Sequence, residues 1–327
     1  MNENDSSASH QVMINTLVAA GTALILLAVG TVFFISSVRS TPIAADSVSD
    51  STSSSEPLID GQAASEPVRL LAEAKNLVFV LADDLDWNLF NQVPRLAALK
   101  EQGITFTNHT VTDSLCCPSR VSIMRGQYIH NHKVISNIEK TGGGWPTFRD
   151  RKEENDCLPV WLNNAGVTTA LFGKYLNDFP SEPKEAKYIP PGWDQWAVPI
   201  SRGDSYTGYN YTLNDNGSLV RYGNKTSDFL NDVITNKATQ FIQTAQQPFF
   251  LELSTYSPHK PAPVATRNAL KQGGTLAPRN PTYNSYGVDE PKWMKDRTPL
   301  NATRLAKADR QWRQRARSAE SIADSVD

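Results

Sequence analysis

The chain has 327 residues, enough for one large domain or two ordinary ones with a substantial core. Hydrophobic residues make up 39% and charged residues 20%, which excludes a chain that is disordered throughout or crosses a membrane many times. Lys and Arg total 32 against 34 Asp and Glu, so a nucleic-acid-binding protein that relies on bulk positive charge is not expected. Three cysteines, at positions 116, 117 and 157, are too few for a disulfide-stapled mini-domain or a four-cysteine zinc site.

An apolar run near the N-terminus, residues 17–35, has no charged residue and only two polar side chains, Thr22 and Thr31. As a helix that rises about 1.5 Å per residue, this run nearly crosses a hydrocarbon core of about 30 Å. The absence of a polar face argues against a buried helix of a soluble domain. A cleaved signal peptide normally begins with basic residues, whereas Glu3 and Asp5 precede this run. We therefore predict a signal anchor with one membrane span over residues 17–35, and keep a signal peptide as the alternative.

Residues 40–65 separate this run from the rest of the chain and contain eight serines, several acidic residues and no aromatic side chain. Such a segment cannot bury enough apolar surface to fold, so we predict a solvated linker. The predicted organisation is an N-terminal tail, a signal anchor or signal peptide, a Ser-rich disordered linker and a folded domain: residues 1–12, 13–38, 39–72 and 73–327.

Short apolar runs alternate with helical patterns through the folded part. Residues 77–81 form a continuous apolar run that stops at Asp83 and Asp84, which is typical of a strand buried on both faces of a parallel sheet. Strands followed by helices, with polar clusters after the strands, predict an α/β fold whose ligands bind at the carboxyl ends of the strands. The pattern predicts further strands at 104–106, 168–172 and 249–253, and helices over 93–99 and 226–244.

The most informative segment is Leu-Cys-Cys-Pro-Ser-Arg, which starts at Leu115 and is followed by Gly126. It places the thiol of Cys116 at a predicted helix start, with Arg120 one turn along. A helix N-terminus stabilises anions and lowers the pKa of a thiol, and an arginine can bind an oxyanion through two N–H groups. The residues alone leave open a second interpretation, in which Cys116 and Cys117 are a buried pair beside a proline turn.

The segment from Cys116 to Gly126 resembles the first signature of the sulfatase family, Cys-x-Pro-Ser-Arg with a glycine ten residues after the cysteine. Residues 166–174 resemble the second signature, and the resemblance covers about residues 75–327. Within the family, the N-acetylglucosamine-6-sulfatases are most similar and the extracellular heparan endosulfatases come next. That similarity rests on Leu-Cys-Cys-Pro-Ser-Arg and on residues 130–132, 173–177 and 209–212.

The resemblance implies a fold like that of alkaline phosphatase, with a mixed, mostly parallel sheet sandwiched by helices. It also implies that a formylglycine-generating enzyme oxidises Cys116 to formylglycine, whose hydrate attacks the sulfur of a sulfate ester. The implied activity is that of a sulfuric ester hydrolase acting on sulfated sugars. The implied target is the 6-sulfate of N-acetylglucosamine in glycosaminoglycans.

Metal ligands follow from the same resemblance. Asp83 and Asp84 match the family's first metal-ligand pair and, with the modified Cys116, are expected to hold Ca²⁺. Carboxylate oxygens suit that ion, which would lower the pKa of the attacking hydroxyl and hold a sulfate oxygen.

The expected catalytic residues are Cys116, Arg120, Lys174 and His259. By resemblance, Arg120 and Lys174 neutralise charge on the nucleophile and the sulfate. His259 matches the family's sulfate-contacting histidine, and it would bind or protonate the leaving oxygen.

Some positions depart from the family pattern. Leu176 stands where many arylsulfatases have a catalytic histidine, and Asn177 is expected to substitute for it in part. The family's later metal ligands, an Asp-Asn or Asp-His pair before a glycine, are expected beyond Asp327. Residues 215–217 read Asp-Asn-Gly, but Asn-Gly is a strong hairpin signal, so we predict a turn there rather than a ligand pair.

The folded domain is therefore expected to be incomplete and to correspond to the N-terminal part of the family. The alternative to an active hydrolase is a catalytically inactive truncated relative that only binds sulfated glycans. A phosphomonoesterase on the same scaffold is less favoured, because the residues that flank the cysteine motif point to sulfate.

The export-like segment and six Asn-x-Ser/Thr sequons favour the secretory pathway, with a lumenal (lysosomal) or extracellular location. The sequon asparagines are Asn4, Asn108, Asn210, Asn216, Asn224 and Asn301.

Overall fold

The computed structural model describes residues 76–200, 203–285, 289–295 and 297–327, and the backbone alone of residues 23–29 and 32–36. The strands within these residues are β1 (Ala23–Val29), β2 (Val32–Ser36), β3 (Asn76–Ala82), β4 (Ile104–Thr105), β5 (Thr168–Gly173), β6 (Gln195–Pro199), β7 (Thr212–Asp215), β8 (Ser218–Arg221) and β9 (Phe249–Thr255). They form one sheet in the order β4-β2-β1-β3-β9-β5-β6-β7-β8.

The centre of the sheet is parallel: β1, β3, β9, β5 and β6 run in the same direction, and antiparallel strands lie on either side. The strands predicted at 77–81, 168–172 and 249–253 are confirmed as β3, β5 and β9. All seven residues of β9 are buried, because this strand has a neighbour on each edge and helices on both faces. The predicted α/β fold with a mixed, mostly parallel sheet is therefore confirmed.

Adjacent residues of β3 point to the two faces of the sheet, so two cores form. Val80 packs in one core with Ile322, and Phe79 packs in the other core with Trp145. The predicted helices over 93–99 and 226–244 are confirmed with shorter bounds. The helices of the described residues are α1 (Trp87–Gln92), α2 (Pro94–Ala98), α3 (Cys116–Arg125), α4 (Ile129–His132), α5 (Gly144–Asp150), α6 (Leu158–Asn164), α7 (Leu230–Thr244), α8 (Lys292–Lys295) and α9 (Ala302–Val326).

β7 and β8 form a hairpin whose two-residue turn is Asn216-Gly217. Both residues have positive φ angles, 50° and 83°, as a type I′ turn requires. The Oδ1 atom of Asn216 accepts a hydrogen bond of 2.8 Å from the backbone N–H of Trp196 on β6. The turn predicted at residues 215–217 is thus confirmed. The side-chain carboxamide of Asn216 links the hairpin to β6.

The secondary structure of the apolar segment near the N-terminus differs from the membrane helix that the sequence predicts. Ala23–Val29 and Val32–Ser36 are strands, and β1 pairs with β3 in parallel. A continuous apolar run suits a strand in a sheet as well as a membrane helix, and the edge of β3 not used by β9 offers backbone partners. The helix predicted over residues 17–35 is therefore wrong for these two stretches. The rest of that run, the tail and the linker lie outside the described residues.

Within the part of the chain that the structure describes, no helix combines the length and apolarity needed to cross a membrane.

Candidate active site

Polar side chains follow three neighbouring parallel strands at their carboxyl ends. Asp83 and Asp84 follow β3, Lys174 follows β5, and His259 comes shortly after β9. Because β9 lies between β3 and β5, these ends meet at one edge of the sheet. Cys116 begins α3, and its Sγ, a carboxylate oxygen of Asp83 and a ring nitrogen of His259 all lie within 4.8 Å of one another. The fold thus brings residues distant in sequence into one cluster.

Gly173 makes a close approach between β5 and β9 possible just before Lys174. Its φ angle is 111°, and a Cβ atom there would lie 1.9 Å from the carbonyl oxygen of Ser254. With glycine in place, the backbone N–H of Lys174 donates to that carbonyl at 2.7 Å. Only a residue without a side chain fits this position, so glycine fixes where the Lys174 side chain leaves the sheet.

Asp83 is a buried carboxylate held between two cations. Its Oδ2 accepts a hydrogen bond from Lys174 Nζ at 2.5 Å, and its Oδ1 lies 3.8 Å from Arg120 Nη2. Burial raises the pKa of Asp83, but the charges of Lys174 and Arg120 outweigh burial and lower it overall. Burial likewise lowers the pKa of Lys174, but the Asp83 charge raises it overall. Both partners are therefore charged at neutral pH, as a buried pair must be to offset its desolvation.

Arg120 reaches this cluster from α3, one turn after Cys116. Its Nη1 donates to the carbonyl oxygen of Lys174 at 2.9 Å and to Ser254 Oγ at 2.5 Å. A guanidinium group has five N–H donors, so other donors remain for a ligand. The charges of Arg120 and Lys174 both act on the Cys116 thiol. Two fixed cations beside one side chain suit the binding of an oxyanion such as sulfate.

Cys116 is half-buried, and its thiol is not activated. Burial and the charge of Asp83 raise its pKa, although Lys174 and Arg120 act in the opposite direction. The lowered pKa expected from the helix N-terminus is therefore wrong, because desolvation and the carboxylate dominate. A neutral thiol is a poor nucleophile, so the unmodified side chain is not suited to attack a sulfate ester.

Two residues beside the cluster, Cys117 and Leu176, belong to the core instead, and Asn177 is partly buried next to them. Cys117 is fully buried, its backbone N–H donates to Asn137 Oδ1 at 2.8 Å, and burial raises its pKa to about 12. Leu176 is 4% exposed and packs in the same core. Asn177 Oδ1 is buried without a hydrogen-bond partner among the described residues, while its carbonyl oxygen accepts from the Trp145 N–H. Partial substitution of Asn177 for a catalytic histidine stays a prediction.

His259 and Asp84 form the more exposed side of the site. Nε2 of His259 lies 3.6 Å from Oδ2 of Asp84, whose side chain is 45% exposed. Nδ1 of His259 lies 2.5 Å from the carbonyl oxygen of Lys260, and a carbonyl only accepts, so Nδ1 carries a proton. Nε2 is then the ring atom available to a ligand. The carbonyl oxygen of Asp84 accepts a hydrogen bond from Arg315 on α9.

Two tyrosines that sequence analysis missed complete the surroundings of Lys174. Nζ of Lys174 lies 5.1 Å from the ring centre of Tyr206 and 5.9 Å from that of Tyr256. The ring of Tyr206 is also 4.7 Å from the ring of His259. Aromatic faces attract cations, so both rings help to fix the ammonium group. Tyr256 directly follows β9 and could have been found by the rule that found Asp83, whereas Tyr206 carries no local signal.

The carboxylate oxygens at the site fit a hard divalent cation, but they are too few to fill its coordination shell. Within the described residues, Asp83, Cys116 and His259 form the cluster whose potential ligand atoms converge, and Asp84 lies next to it. Ca²⁺ takes about 6–8 oxygen ligands, so the two carboxylates supply only part of a shell. A sulfur ligand suits softer metals, so Cys116 fits such an ion only after its sulfur is replaced by oxygen.

Comparison with known proteins identifies the family. The family model described as Sulfatase matches residues 75–321, and the chain therefore belongs to the sulfatase family. A putative extracellular sulfatase Sulf-1 homolog of Caenorhabditis elegans is 32% identical over 263 residues, which is 77% of this chain and 35% of that protein. The N-acetylglucosamine-6-sulfatases of Capra hircus and Homo sapiens are 32% and 31% identical over 261 residues. Those matches cover 77% of this chain and 46% and 47% of the two relatives.

The chain thus spans between about a third and about half the length of these curated relatives. Among solved structures, BT4656 in complex with its substrate D-glucosamine-2-N,6-O-disulfate superimposes with a TM-score of 0.56. The two chains are 19% identical, and the match covers 77% of this chain and 60% of BT4656. At this level of identity the comparison shows that the two proteins share a fold.

Proposed function

We propose that the protein is a sulfuric ester hydrolase that removes the 6-sulfate of N-acetylglucosamine in sulfated sugars. The observation that carries the proposal is the convergence of Cys116, Lys174 and His259 around the buried Asp83 carboxylate. Two buried cations beside a cysteine in a modification motif suit a sulfate ester better than an uncharged substrate. The relatives named N-acetylglucosamine-6-sulfatase support the choice of sugar.

Formylglycine derived from Cys116 would, when hydrated, supply one hydroxyl that attacks sulfur and a second that expels sulfate. Lys174 and Arg120 bind sulfate oxygens, and their positions are fixed beforehand by Asp83 and Ser254. His259 presents Nε2 to the site and, when protonated, donates that proton to the leaving sugar oxygen. The protein's own residues thus bind, orient and protonate.

Ca²⁺ is the metal we propose for this site, held by Asp83, Asp84 and the oxygen of the modified Cys116. Such an ion would polarise the attacking hydroxyl and one sulfate oxygen. Asp84 suits this role because its exposed carboxylate has only His259 as an ion-pair partner within the described residues, so most of its oxygen ligand positions remain available.

The first prediction concerns the modification itself. When the protein is expressed with a formylglycine-generating enzyme, the peptide that contains Cys116 should lose the thiol mass and gain an aldehyde. Cys117 should remain a thiol, because it is buried in the core and tied through its backbone to Asn137. Mass spectrometry of the digested protein measures both. An aldehyde at Cys117, or none at either position beside a modified reference sulfatase, would contradict the assignment.

The second prediction concerns turnover by the full gene product. Sulfate release from a 6-sulfated glucosamine substrate should require Ca²⁺, stop on addition of a chelator, and be abolished by Cys116→Ala. Arg120→Ala and Lys174→Ala should each lower kcat by roughly 10²–10³-fold, because each removes a fixed cation from the developing charge. Cys157→Ala, a buried cysteine outside the cluster, should retain activity.

The same experiment distinguishes a hydrolase from the alternative, an inactive protein that only binds sulfated glycans. A modified protein that binds the 6-sulfated sugar but releases no sulfate with Ca²⁺ would support the inactive relative. Turnover that survives Cys116→Ala would show that the reaction uses another nucleophile.

A further inference from the structure

We propose that a cleft on α9 is a second binding site for sulfate groups of a glycan chain, separate from the site of hydrolysis. The cleft has a volume of about 450 Å³, which lies in the range of ligand-binding pockets. One wall is α9 and the other is the loop that follows His259. Its lining residues are Val264, Ala269, Arg310, Arg313, Gln314 and Arg317.

Three arginines give this arginine cleft its charge. Arg310, Arg313 and Arg317 are spaced three and four residues apart, so they project from one face of α9. Within the described residues none of the three forms an ion pair with a carboxylate. The Nη1 of Arg313 donates to the carbonyl oxygen of Thr275 at 3.1 Å, and Nε of Arg317 donates to that of Lys271 at 2.7 Å. These contacts anchor the two side chains and leave further N–H donors of both guanidinium groups available.

The acidic residues of α9 do not neutralise the cleft, because other basic residues already pair with them. Asp309 pairs with Arg279 at 2.6 Å, and Glu320 pairs with Lys271 and Arg95. An ordinary solvated helix face carries interspersed opposite charges, which stabilise the helix at spacings of three and four residues. Asp309, four residues before Arg313, interacts with it electrostatically but forms its ion pair with Arg279, so the arginine face keeps N–H donors for an anion.

The chemistry of guanidinium groups selects the ligand. Arginine binds two oxygens of one oxyanion through two parallel N–H groups, and three arginines along one helix face match a ligand with several sulfates. A monosaccharide with a single sulfate would engage only part of this surface. The identity of the anion as a sulfated glycan rests on the proposed function, whereas the presence of an anion site rests on the cleft alone.

The arginine cleft is connected to the site of hydrolysis through two elements. Nε2 of Gln314 donates to the carbonyl oxygen of Pro261 at 2.8 Å, which ties α9 to the loop after His259. Arg315 of the same helix donates to the backbone of Asp84 on its other side. An α-helix with side chains is only about 10–12 Å across, so a glycan of several sugars that passes around α9 would contact both places. The cleft would thus hold the chain while a sulfate at one sugar reaches Lys174.

The test compares the triple variant Arg310→Gln, Arg313→Gln, Arg317→Gln with a control of equal charge change, Lys187→Gln, Arg221→Gln, Lys225→Gln. Arg221 lies on β8, Lys225 follows that strand and Lys187 lies beside the β7–β8 turn, and none of the three lines the cleft. Binding to a sulfated polysaccharide column is measured in the Cys116→Ala background, where no turnover occurs. We expect the cleft variant to elute at clearly lower salt and to lose at least tenfold in affinity, while the control changes less than twofold.

A kinetic comparison in the active background provides the second readout. The cleft variant should raise KM for a sulfated polysaccharide about tenfold and leave KM and kcat for a 6-sulfated monosaccharide unchanged. Equal binding by the cleft variant and the control variant would overturn the proposal, as would an equal loss on both substrates. If no substrate is hydrolysed at all, the proposed function fails, but cleft-dependent binding in the Cys116→Ala background would still support the anion site. The single variant Arg310→Gln, at an exposed position, should show part of the shift and guards against misfolding of the triple variant.

Discussion

Glu252 is an acidic residue in the middle of β9, where its neighbours on both sides are buried strands. Its side chain is 7% exposed and, with Arg120 and Lys174, lines a cavity of about 10 Å³, roughly the size of one water molecule. Burial raises the pKa of Glu252 to about 7, and the charge of Arg120 opposes this shift only in part. A carboxylic acid under the two cations of the site is therefore neutral in mildly acidic solution and charged above neutrality.

The third prediction follows from this pKa. The pKa of Glu252 is about 7 in the folded protein against an ordinary value of 4.5, so between these values the folded protein holds a proton that the unfolded chain has lost. The raised pKa of Glu252 therefore adds at most roughly 3 kcal/mol to the free energy of unfolding. This contribution is complete below pH 4.5 and is lost as the pH rises through about 7. Glu252→Gln removes the titration, so its free energy of unfolding should change less between pH 5 and pH 8. Urea denaturation at both pH values measures this.

The control for this prediction is Glu101→Gln, at an exposed glutamate at the end of a short helical segment. It should keep the pH dependence of the original protein. Identical pH dependence in the Glu252→Gln variant and the original protein would contradict the raised pKa.

At the scale of elements, the β7–β8 hairpin shows how local chemistry determines a structure. Asn-Gly supplies two residues with positive φ, and Asp215 pairs with Ser218 directly across the turn. Asp215 also forms an ion pair of 2.7 Å with Lys237 on α7, which fixes the hairpin against that helix. The acidic and amide side chains at residues 215 and 216 are thus occupied by structural contacts, away from the site at the carboxyl end of β3.

The fourth prediction concerns the turn glycine. Gly217→Ala should destabilise the protein by about 1–2 kcal/mol, because φ is 83° there and an L-residue is strained in that region. Steric overlap contributes nothing, since the nearest atom to a new Cβ is the Lys187 oxygen at 4.0 Å. Gly274→Ala is the matched control: nothing lies within 4 Å of its Cβ position and its φ is not positive, so stability should be unchanged or rise by up to about 1 kcal/mol. Chemical denaturation of the three proteins side by side would contradict the argument if both substitutions had equal effects.

At the scale of the whole molecule, the N-terminal apolar run and the sequons bear on the route the protein takes in the cell. All sequon asparagines within the described residues are exposed: Asn108, Asn210, Asn216, Asn224 and Asn301. A relative named as an extracellular sulfatase is consistent with export. We propose that residues 17–35 direct the chain into the secretory pathway, where Asn108, Asn210, Asn224 and Asn301 are glycosylated, whereas the carboxamide of Asn216 is held by Gln195 and Trp196.

The fifth prediction tests that route. Protein made in cultured eukaryotic cells should lose mass on treatment with an endoglycosidase, and a variant with Asn108, Asn210, Asn224 and Asn301 changed to glutamine should not. Alkaline carbonate extraction then reports on residues 17–35. If the protein stays in the membrane pellet, these residues lie in the bilayer. If the protein is released, they have been cleaved or lie in the sheet as β1 and β2. An unglycosylated protein in these cells would contradict entry into the pathway.

The sequence by itself determined those features that depend on short-range chemistry. Short β-prone runs identify β3, β5 and β9, and the run of residues 77–81 in β3 is apolar throughout, as suits a strand buried on both faces. Asn216-Gly217 specifies a hairpin through backbone angles alone, and the cysteine motif places Cys116 at the start of α3. The same motif, with Asp83, Lys174 and His259 in order, was enough to assign the chain to the sulfatase family.

Only the tertiary structure decided features that join distant parts of the chain. The ion pair of Asp83 with Lys174 spans 91 residues and the contact of Arg315 with Asp84 spans 231, and no local pattern encodes either. The raised pKa of Cys116 depends on burial and on the Asp83 charge, which a helix start cannot reveal. The apolar run that forms β1 and β2 suits a bilayer and a sheet equally well, because both remove apolar side chains from water and pair every backbone group. Which environment such a segment occupies is determined by the partner that the rest of the fold offers.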